Sequence, residues 1–230
     1  GFVMGEGCAI LVLKRLSDAE RDGDRVYATI RGIGASSDGK GKGITAPNPK
    51  GQRLALQRAY HNAGISIDSV AYFECHGTST QVGDKVEATV LAESLTSPYT
   101  KPRLGSIKSN IGHLKSAAGA AAVVKGALSL YHKTLYATAN VTTPRQDIPL
   151  DKVQIQTRTE PWESTEIRRA GVSAFGFGGT NFHIVLEEQH TTVLRSETVI
   201  QEPLPIELTC LSAPTKNAIR ETVEQLQETG

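Results

Sequence analysis

Cysteine is scarce in this sequence, and its placement excludes a disulfide framework. The 230 residues contain only Cys8, Cys75 and Cys210, which are far apart, odd in number and in no metal-ligand spacing. This usage is typical of a reducing cytosol, so we expect a cytoplasmic protein. Long apolar runs are also absent, since none approaches the ~20 residues that a membrane span needs. We therefore expect neither a membrane segment nor a signal peptide.

An excess of one charge is missing as well. The 25 Lys and Arg residues nearly balance the 24 Asp and Glu residues, which gives a net charge of +1. This balance provides no electrostatic case for nucleic acid or an anionic membrane as a partner.

The chain starts with a glycine-rich segment, with no initiator methionine before it, and runs directly into an apolar stretch. We interpret it as a piece of a longer protein.

Apolar and amphipathic runs follow one another in an α/β order. The predicted strands are 8–13, 26–33, 70–75, 103–107, 170–174 and 181–187, and the predicted helices are 17–23, 52–63, 83–95 and 114–132. We expect loops at 36–51 and 108–113. Strands alternating with helices indicate a layered α/β domain with a largely parallel sheet. The glycine turn between the last two strands predicts an antiparallel pair at the edge of that sheet, and the uniformly apolar run 8–13 predicts a buried strand.

The composition changes after residue 188. Polar residues and two prolines follow, then a candidate strand at 206–211 and an amphipathic helix at 215–227. We assign residues 1–188 to the main domain and residues 189–230 to a linker or the start of a following module.

Three clusters of glycine and polar residues come at the ends of predicted strands. The clusters are 76–80, followed by Gly83, Asp84 and Glu87; 108–113; and 175–181. The carboxyl ends of strands in an open α/β sheet form the crevice where ligands bind, so we expect the three clusters to meet there. Two of them contain a histidine, His76 and His113.

Each cluster alone also has a structural interpretation. A single histidine beside a glycine is more often structural, an isolated Lys108 is usually a solvated surface charge, and 176–179 is compatible with a simple turn. A metal site formed by His76, Asp84, Glu87 and His113 matches no usual ligand spacing, and Lys108 would oppose a cation. A dinucleotide loop should open a helix, whereas 181–187 alternates like a strand. We expect no metal and no directly bound cofactor.

Taken together, the three clusters resemble the C-terminal motifs of β-ketoacyl synthases. These are His76-Gly-Thr-Ser-Thr80, Lys108-Ser-Asn-Ile-Gly-His113 and Gly176-Phe-Gly-Gly-Thr-Asn181, in the family's order. The similarity covers about residues 1–188 and includes the loop around Thr45. The tail with 211–214 is similar to the linker that follows ketosynthase domains in type I polyketide synthases. The resemblance implies a thiolase-like layered α/β fold, of which this chain supplies the C-terminal half.

The resemblance also implies a reaction and a role for each motif residue. The parent enzyme would catalyse a decarboxylative Claisen condensation, in which a malonyl-type extender on an acyl carrier protein attacks an enzyme-bound acyl chain. His76, His113 and Lys108 would be catalytic, and Asp84 and Glu87 would support Lys108 through a buried hydrogen-bond network. The residues implied in binding the acyl group or the phosphopantetheine arm are Thr78, Thr80, Asn110, Phe177 and Gly178. The Phe177 N–H would complete an oxyanion hole.

The nucleophilic cysteine of this family is missing from the sequence. Cys8 lies in the predicted buried strand, and Cys75 should point away from His76 because neighbouring strand residues face opposite sides. We expect the nucleophile in an upstream half that this sequence lacks. The implied partners are that half, an acyl carrier protein and a second copy in a homodimer. The alternative is a truncated or split polypeptide that only binds or decarboxylates carrier-bound malonyl groups. The sequence does not decide the product, its chain length or the extender.

Overall fold

The computed structural model describes residues 1–39, 43, 46–189 and 215–229. The chain divides into two compact units, Gly1–Val193 and Leu194–Gly230. The described part of the second unit is one amphipathic helix, α6 (Lys216–Thr229), which confirms the helix predicted at 215–227. Thr45, the candidate strand 206–211 and the segment 211–214 lie outside the described residues, and the domain boundary at 188 stays a prediction. No helix in the described ranges is long and apolar enough to cross a membrane.

The first unit is built on a six-stranded mixed sheet. In chain order the helices are α1 (Leu16–Asp22), α2 (Pro49–Ala63), α3 (Gln81–Ser94), α4 (Lys108–Ile111) and α5 (Ala118–Tyr131). The strands are β1 (Thr29–Ser37), β2 (Tyr72–Glu74), β3 (Arg103–Gly105), β4 (Thr134–Leu135), β5 (Gln154–Ile155), β6 (Glu160–Pro161), β7 (Arg169–Phe175) and β8 (Thr180–Glu187). The large sheet has the order β1-β8-β7-β2-β3-β5, and β4 pairs with β6 separately.

Helices cover both faces of this sheet, and strand alternation decides which side chains meet them. Phe73 packs on one face with residues of α2 and α3 such as Leu56 and Leu91. Its neighbour Tyr72 packs on the opposite face with residues of α5 such as Leu130. Successive side chains of a strand point to opposite sides, so the short strand β2 contributes to both layers of the core. The layered α/β architecture is therefore confirmed.

The structure corrects two predictions about the sheet and its loops. The antiparallel pair β7 and β8 is present, but it is not at the edge, because β1 pairs antiparallel with β8 along its outer side. The segment predicted as a loop at 108–113 starts with the four-residue helix α4. A helix this short was invisible in the sequence because four residues cannot display a helical period.

The predicted buried strand at 8–13 is also wrong for this chain. None of the described residues pairs with it as a strand, and Ile10 and Val12 are 85% and 93% exposed. Cys8 is exposed as well. A strand needs a neighbour for its backbone N–H and C=O groups, and apolarity alone does not supply one. The run is therefore an apolar segment without a packing partner among the described residues.

We predict that buried Gly171 and half-buried Gly119, which lines the main cavity, respond oppositely to an added methyl group. In Gly171→Ala the new Cβ would lie 2.6 Å from the Phe73 ring and 2.9 Å from the His183 ring, so the free energy of unfolding should fall by about 1–3 kcal/mol. In Gly119→Ala the nearest atom is the Ala174 Cβ at 3.4 Å, and alanine favours the α5 helix by up to about 1 kcal/mol. Urea unfolding of both variants measures the difference, and equal destabilisation would contradict it.

Candidate active site

The structure brings the three sequence clusters together around one cavity of about 710 Å³. The cavity opens where β2 ends and where the turn joins β7 to β8. Its lining residues from the clusters are His76, Thr78, Thr80, Gly83, Glu87, His113, Phe175, Gly176, Phe177, Thr180 and Asn181. The meeting of the clusters follows from the sheet, because β2, β3 and β7 are neighbouring parallel strands whose carboxyl ends share one edge.

The two histidine rings face each other across this cavity. Their centroids are 5.7 Å apart at an interplanar angle of 84°. Nδ1 of His113 accepts a hydrogen bond from the Lys115 N–H at 3.0 Å, so a neutral His113 ring carries its hydrogen on Nε2. Nδ1 of His76 is buried and has no partner in the described structure. The two rings are therefore close neighbours in an edge-to-face arrangement.

Both imidazoles are held in the neutral form. Burial, the positive charge of Lys108 and the nearby His113 ring together lower the pKa of His76 to about 3. Burial also lowers the pKa of His113, with smaller contributions from Lys108 and Lys115. At neutral pH each ring is therefore a hydrogen-bond donor without a full charge.

Lys108 supplies the charge that acts on both rings. It is the first residue of α4 and is only 8% exposed. Burial lowers the pKa of Lys108, while Glu87 and then Glu74 raise it. The resemblance implied a direct hydrogen-bond network between Lys108 and Glu87. Neither the hydrogen bonds nor the ion pairs of the described residues include such a contact, so the two interact only through their charges.

Glu87 instead holds the backbone that carries His76. Its Oε1 accepts the His76 N–H at 2.8 Å and its Oε2 accepts the Gly77 N–H at 3.0 Å. These two N–H groups follow the end of β2 and have no strand partner there, which explains why the carboxylate turns toward them. Glu87 is 4% exposed, and burial raises its pKa to about 7.

The two threonines of the first cluster are already engaged with each other and with α3. Oγ1 of Thr80 accepts the Gly83 N–H at 3.2 Å as the N-cap of α3, and it lies 3.2 Å from Oγ1 of Thr78. Arg145, which the sequence reasoning missed, donates to the Thr80 carbonyl at 3.0 Å. One carboxylate oxygen of Asp84 is buried without a partner among the described residues, and burial raises the pKa of that side chain.

The third cluster forms a tight turn at the mouth of the cavity. The Gly176 N–H donates to the Thr180 carbonyl at 2.8 Å, and Gly178 and Gly179 have φ of +93° and +82°, where glycine is favoured. The Phe177 side chain is 73% exposed and lines the cavity, and its N–H has no partner among the described residues. Gly178 itself does not line the cavity.

Asn110 is placed outside the cavity. It is an exposed residue of α4, and its Oδ1 accepts a hydrogen bond from the Ser109 hydroxyl at 3.1 Å. The structure therefore gives it no contact with the space between the histidines.

The N-terminal segment contributes to the site in a way that the sequence reasoning missed. The Phe2 ring lies 4.7 Å from the His113 ring, and the His113 N–H donates to the Val3 carbonyl at 2.8 Å. Gly112 has φ of +75°, and a Cβ there would lie 3.0 Å from the Val3 carbonyl oxygen. The only sign of this contact in the sequence was glycine on each side of it, in the N-terminal segment and at Gly112.

No cysteine thiol among the described residues lines the cavity. Cys75 is buried, its thiol donates to the Phe73 carbonyl, and burial raises its pKa well above the ordinary value. It lines a second cavity of about 320 Å³ instead. Cys8 is exposed, contrary to our expectation, and Cys210 lies outside the described residues. The described residues also hold no group of three His, Cys, Asp or Glu side chains arranged for a metal ion.

Comparison with known proteins gives consistent matches. Residues 27–142 match the family "Beta-ketoacyl synthase, C-terminal domain", and residues 144–230 match "Ketoacyl-synthetase C-terminal extension". The chain is 44% identical over 225 residues to a polyunsaturated fatty acid synthase of Thraustochytrium sp., covering 93% of this chain and 8% of that protein. It is 46% identical over 195 residues to polyketide synthase PksL of Bacillus subtilis, covering 82% of this chain and 4% of that protein.

Solved structures agree with this and confirm the thiolase-like fold. The ketosynthase from module 6 of the bacillaene synthase of Bacillus subtilis 168 superimposes with a TM-score of 0.71 at 43% identity, covering 78% of this chain and 34% of that chain. The PfaC keto synthase–chain length factor superimposes with a TM-score of 0.70 at 43% identity, covering 76% of this chain and 19% of that chain. The chain thus spans about a third of the bacillaene ketosynthase and less than a tenth of the two synthases named above.

We predict that Glu87 makes stability fall as the pH rises. Because the folded pKa is about 7 and the ordinary value is 4.5, the folded protein holds this proton more tightly than the unfolded chain. The contribution of Glu87 is lost between about pH 4.5 and pH 7 and amounts to about 3 kcal/mol. Glu87→Gln cannot ionise, so its free energy of unfolding should change less between pH 5 and pH 8 than that of the unmodified protein. Parallel pH curves from urea unfolding would contradict this.

Proposed function

Because this chain belongs to the β-ketoacyl synthase family, as a C-terminal ketosynthase region, we propose that it supplies the malonyl-activating part of a condensing active site. The observation that supports this most directly is the pair of neutral histidines lining one cavity, with ring centroids 5.7 Å apart and the charge of buried Lys108 acting on both rings. The parent enzyme is proposed to be a transferase of the type I polyketide or polyunsaturated fatty-acid synthases, to which the chain is similar.

The geometry fits the formation of an enolate. A malonyl thioester would place its carbonyl oxygen between the N–H groups of His76 and His113. When the bond to the carboxylate breaks, carbon dioxide leaves and the electron pair moves into the enolate, so negative charge develops on that oxygen. Two positioned donors stabilise this charge, and each such donor typically contributes about 10²–10³ in rate. The neutral rings suit this role because they donate without competing for protonation.

The second half of the reaction needs groups outside this chain. The enolate carbon would attack an acyl thioester on a cysteine, forming the new carbon–carbon bond and releasing the cysteine thiolate. We propose that this cysteine lies in the part of the ketosynthase that the chain does not cover. The N–H of Phe177 would donate to the oxyanion of that step, and Thr78 and Thr80 would contact the phosphopantetheine arm. No metal or diffusible cofactor is required, and the proposed partners are an acyl carrier protein and, for the complete enzyme, a second copy.

A second candidate is that this polypeptide by itself decarboxylates or only binds carrier-bound malonyl groups. The placement of both histidines, with no thiol of the described residues in the cavity, favours it over condensation by the isolated chain. For condensation and for decarboxylation alike, we assign the enolate-forming step to these residues.

We predict that His76→Ala and His113→Ala each lower malonyl decarboxylation by about 10²–10³, because each removes one donor to the enolate oxygen. The variants are made in the ketosynthase that contains this chain, and product is followed by mass spectrometry of the carrier protein. Acylation of the cysteine should proceed as before. His61→Ala, an exposed histidine on α2, is the matched control and should retain full activity. Normal condensation by His113→Ala would refute the assignment.

We also predict that the apolar run 8–13 is buried by the remainder of the ketosynthase. Val12→Asp should be neutral in this chain alone, where Val12 is 93% exposed. In the longer enzyme it should lower the melting temperature strongly, because a charge would be buried without a partner. Tyr99→Asp is the control, since Tyr99 is 94% exposed and should be neutral in both. An unchanged melting temperature for Val12→Asp in the complete enzyme would contradict burial of the run 8–13. Formation of β-ketoacyl product by this chain alone would contradict the proposal that the nucleophilic cysteine lies outside it.

A further inference from the structure

A second buried carboxylate, outside the three motifs, joins the strand end before His76 to the strand end before Lys108. Glu74 is the last residue of β2 and is fully buried. Its Oε2 accepts a hydrogen bond from the Tyr72 hydroxyl at 2.5 Å and lies 2.9 Å from Nζ of Lys125. Its Oε1 accepts a hydrogen bond from the Ile107 N–H at 2.5 Å.

Strand alternation puts Glu74 in this position. Glu74 and Tyr72 are two residues apart, so they share the face of β2 that α5 covers. Lys125 comes from α5 and is 7% exposed. A buried carboxylate without a counter-charge is strongly disfavoured, and Lys125 is the cation that the structure places beside it.

The third partner of Glu74, the Ile107 N–H, connects the ion pair with Lys125 to the active site. Ile107 is the N-cap of α4, and its side chain makes no capping hydrogen bond. Its N–H is the last backbone donor before Lys108, so Glu74 fixes the backbone directly before Lys108. The same short segment leads to Gly112 and His113, whose backbone is held by Val3.

Glu74 also acts on Lys108 through its charge. Burial lowers the pKa of Lys108, and Glu74 is the second contributor that opposes this, after Glu87. The two acids hold different backbones: Glu87 holds the His76 segment, and Glu74 holds the Lys108 segment. Packing alone would need no charge at this place, because well-packed apolar residues commonly replace buried ion pairs without loss of stability.

We propose that Glu74 and Lys125 are positioning residues for enolate formation, which set the start of the segment 108–113 and the charge around Lys108. This rests on the proposed function of the histidine pair. Neither residue lines the cavity, so they act through Ile107 and Lys108 rather than on the substrate.

The test uses Glu74→Gln, Lys125→Met and the double variant in the ketosynthase that contains this chain. Each single variant should lower kcat for malonyl decarboxylation at least about tenfold, because small displacements of catalytic groups are costly. KM for the malonyl carrier and the rate of cysteine acylation should stay unchanged. The uncharged double variant should regain the melting temperature of the unmodified enzyme but not its kcat.

The pH profile of kcat distinguishes the positioning role of Glu74 from a purely structural one, because loss of stability alone would not shift that profile. The charge of Lys108 interacts with Glu74 at the end of β2, with Cys75 directly after it, with Asp84 and Glu87 from α3, and with the rings of His76 and His113. Removing the negative charge of Glu74 should lower the pKa of Lys108. The basic limb of the kcat profile should therefore move to lower pH in Glu74→Gln, while the other facing groups remain.

A comparable ion pair at the opposite end of the sheet is the control. Arg168 and Glu188 are joined at 3.0 Å and are similarly buried. The single variants Arg168→Met and Glu188→Gln should each lower the melting temperature without changing kcat. Recovery of both stability and kcat by the Glu74 and Lys125 double variant would overturn the proposal, as would single variants that lose stability alone.

If Glu74→Gln or Lys125→Met fails to fold, Tyr72→Phe tests the positioning role instead. It removes one hydrogen bond to Glu74 and keeps the ion pair, so a lower kcat at unchanged KM is expected and an unchanged kcat would overturn the proposal. An unmodified enzyme that neither decarboxylates nor condenses malonyl carrier would instead refute the proposed function itself, and the positioning role with it.

Discussion

The end of strand β2 is the constraint on which the site depends. After Glu74 the chain must leave the sheet to carry His76 into the cavity, and the N–H groups of His76 and Gly77 then lose their ladder partners while they remain covered. An unpaired buried N–H costs about 1–3 kcal/mol, so these two groups need a substitute acceptor. Glu87 accepts both. It reaches them because Thr80 caps α3 directly after the loop, which brings the buried face of that helix back beneath His76.

This arrangement also explains the charge state of the histidines. The charges of Glu87 and Glu74 make the burial of Lys108 tolerable, because both acids oppose its deprotonation. Its charge in turn disfavours protonation of both imidazoles. Carboxylates therefore satisfy the backbone at the end of β2 and allow a buried lysine. Burial, and after it the charge of this lysine, keeps the two histidines neutral. A site designed around protonated histidines would need the opposite sign of charge beside them.

Patterns with a period could be predicted from the sequence, whereas contacts between distant segments could not. The α2 helix, the strands β7 and β8 and the strand-end placement of His76 follow from alternation, glycine stops and α/β order. The helix α4 was too short to show a period, and the outer position of β1 depends on pairing that leaves no local mark. Glu74 and Lys125 look like ordinary members of a strand and a helix, and only the fold shows that they meet. At 8–13 the sequence predicted a buried strand that the structure does not contain. An apolar run indicates that a segment tends to be buried, but it does not show which segment covers it.

The described cavity holds only some of the groups that the proposed reaction needs. Both proposed donors to the enolate oxygen lie in the described cavity, while no thiol of the described residues that could carry the acyl chain does. One of these donors is tied to the N-terminal segment, because the carbonyl of Val3 and the N–H of Gly5 hold the backbone of His113 on both sides. The exposed run 8–13 begins three residues after Gly5. Packing that orders this run therefore restrains the same backbone that positions His113, so covering the apolar segment and aligning the second donor are physically linked.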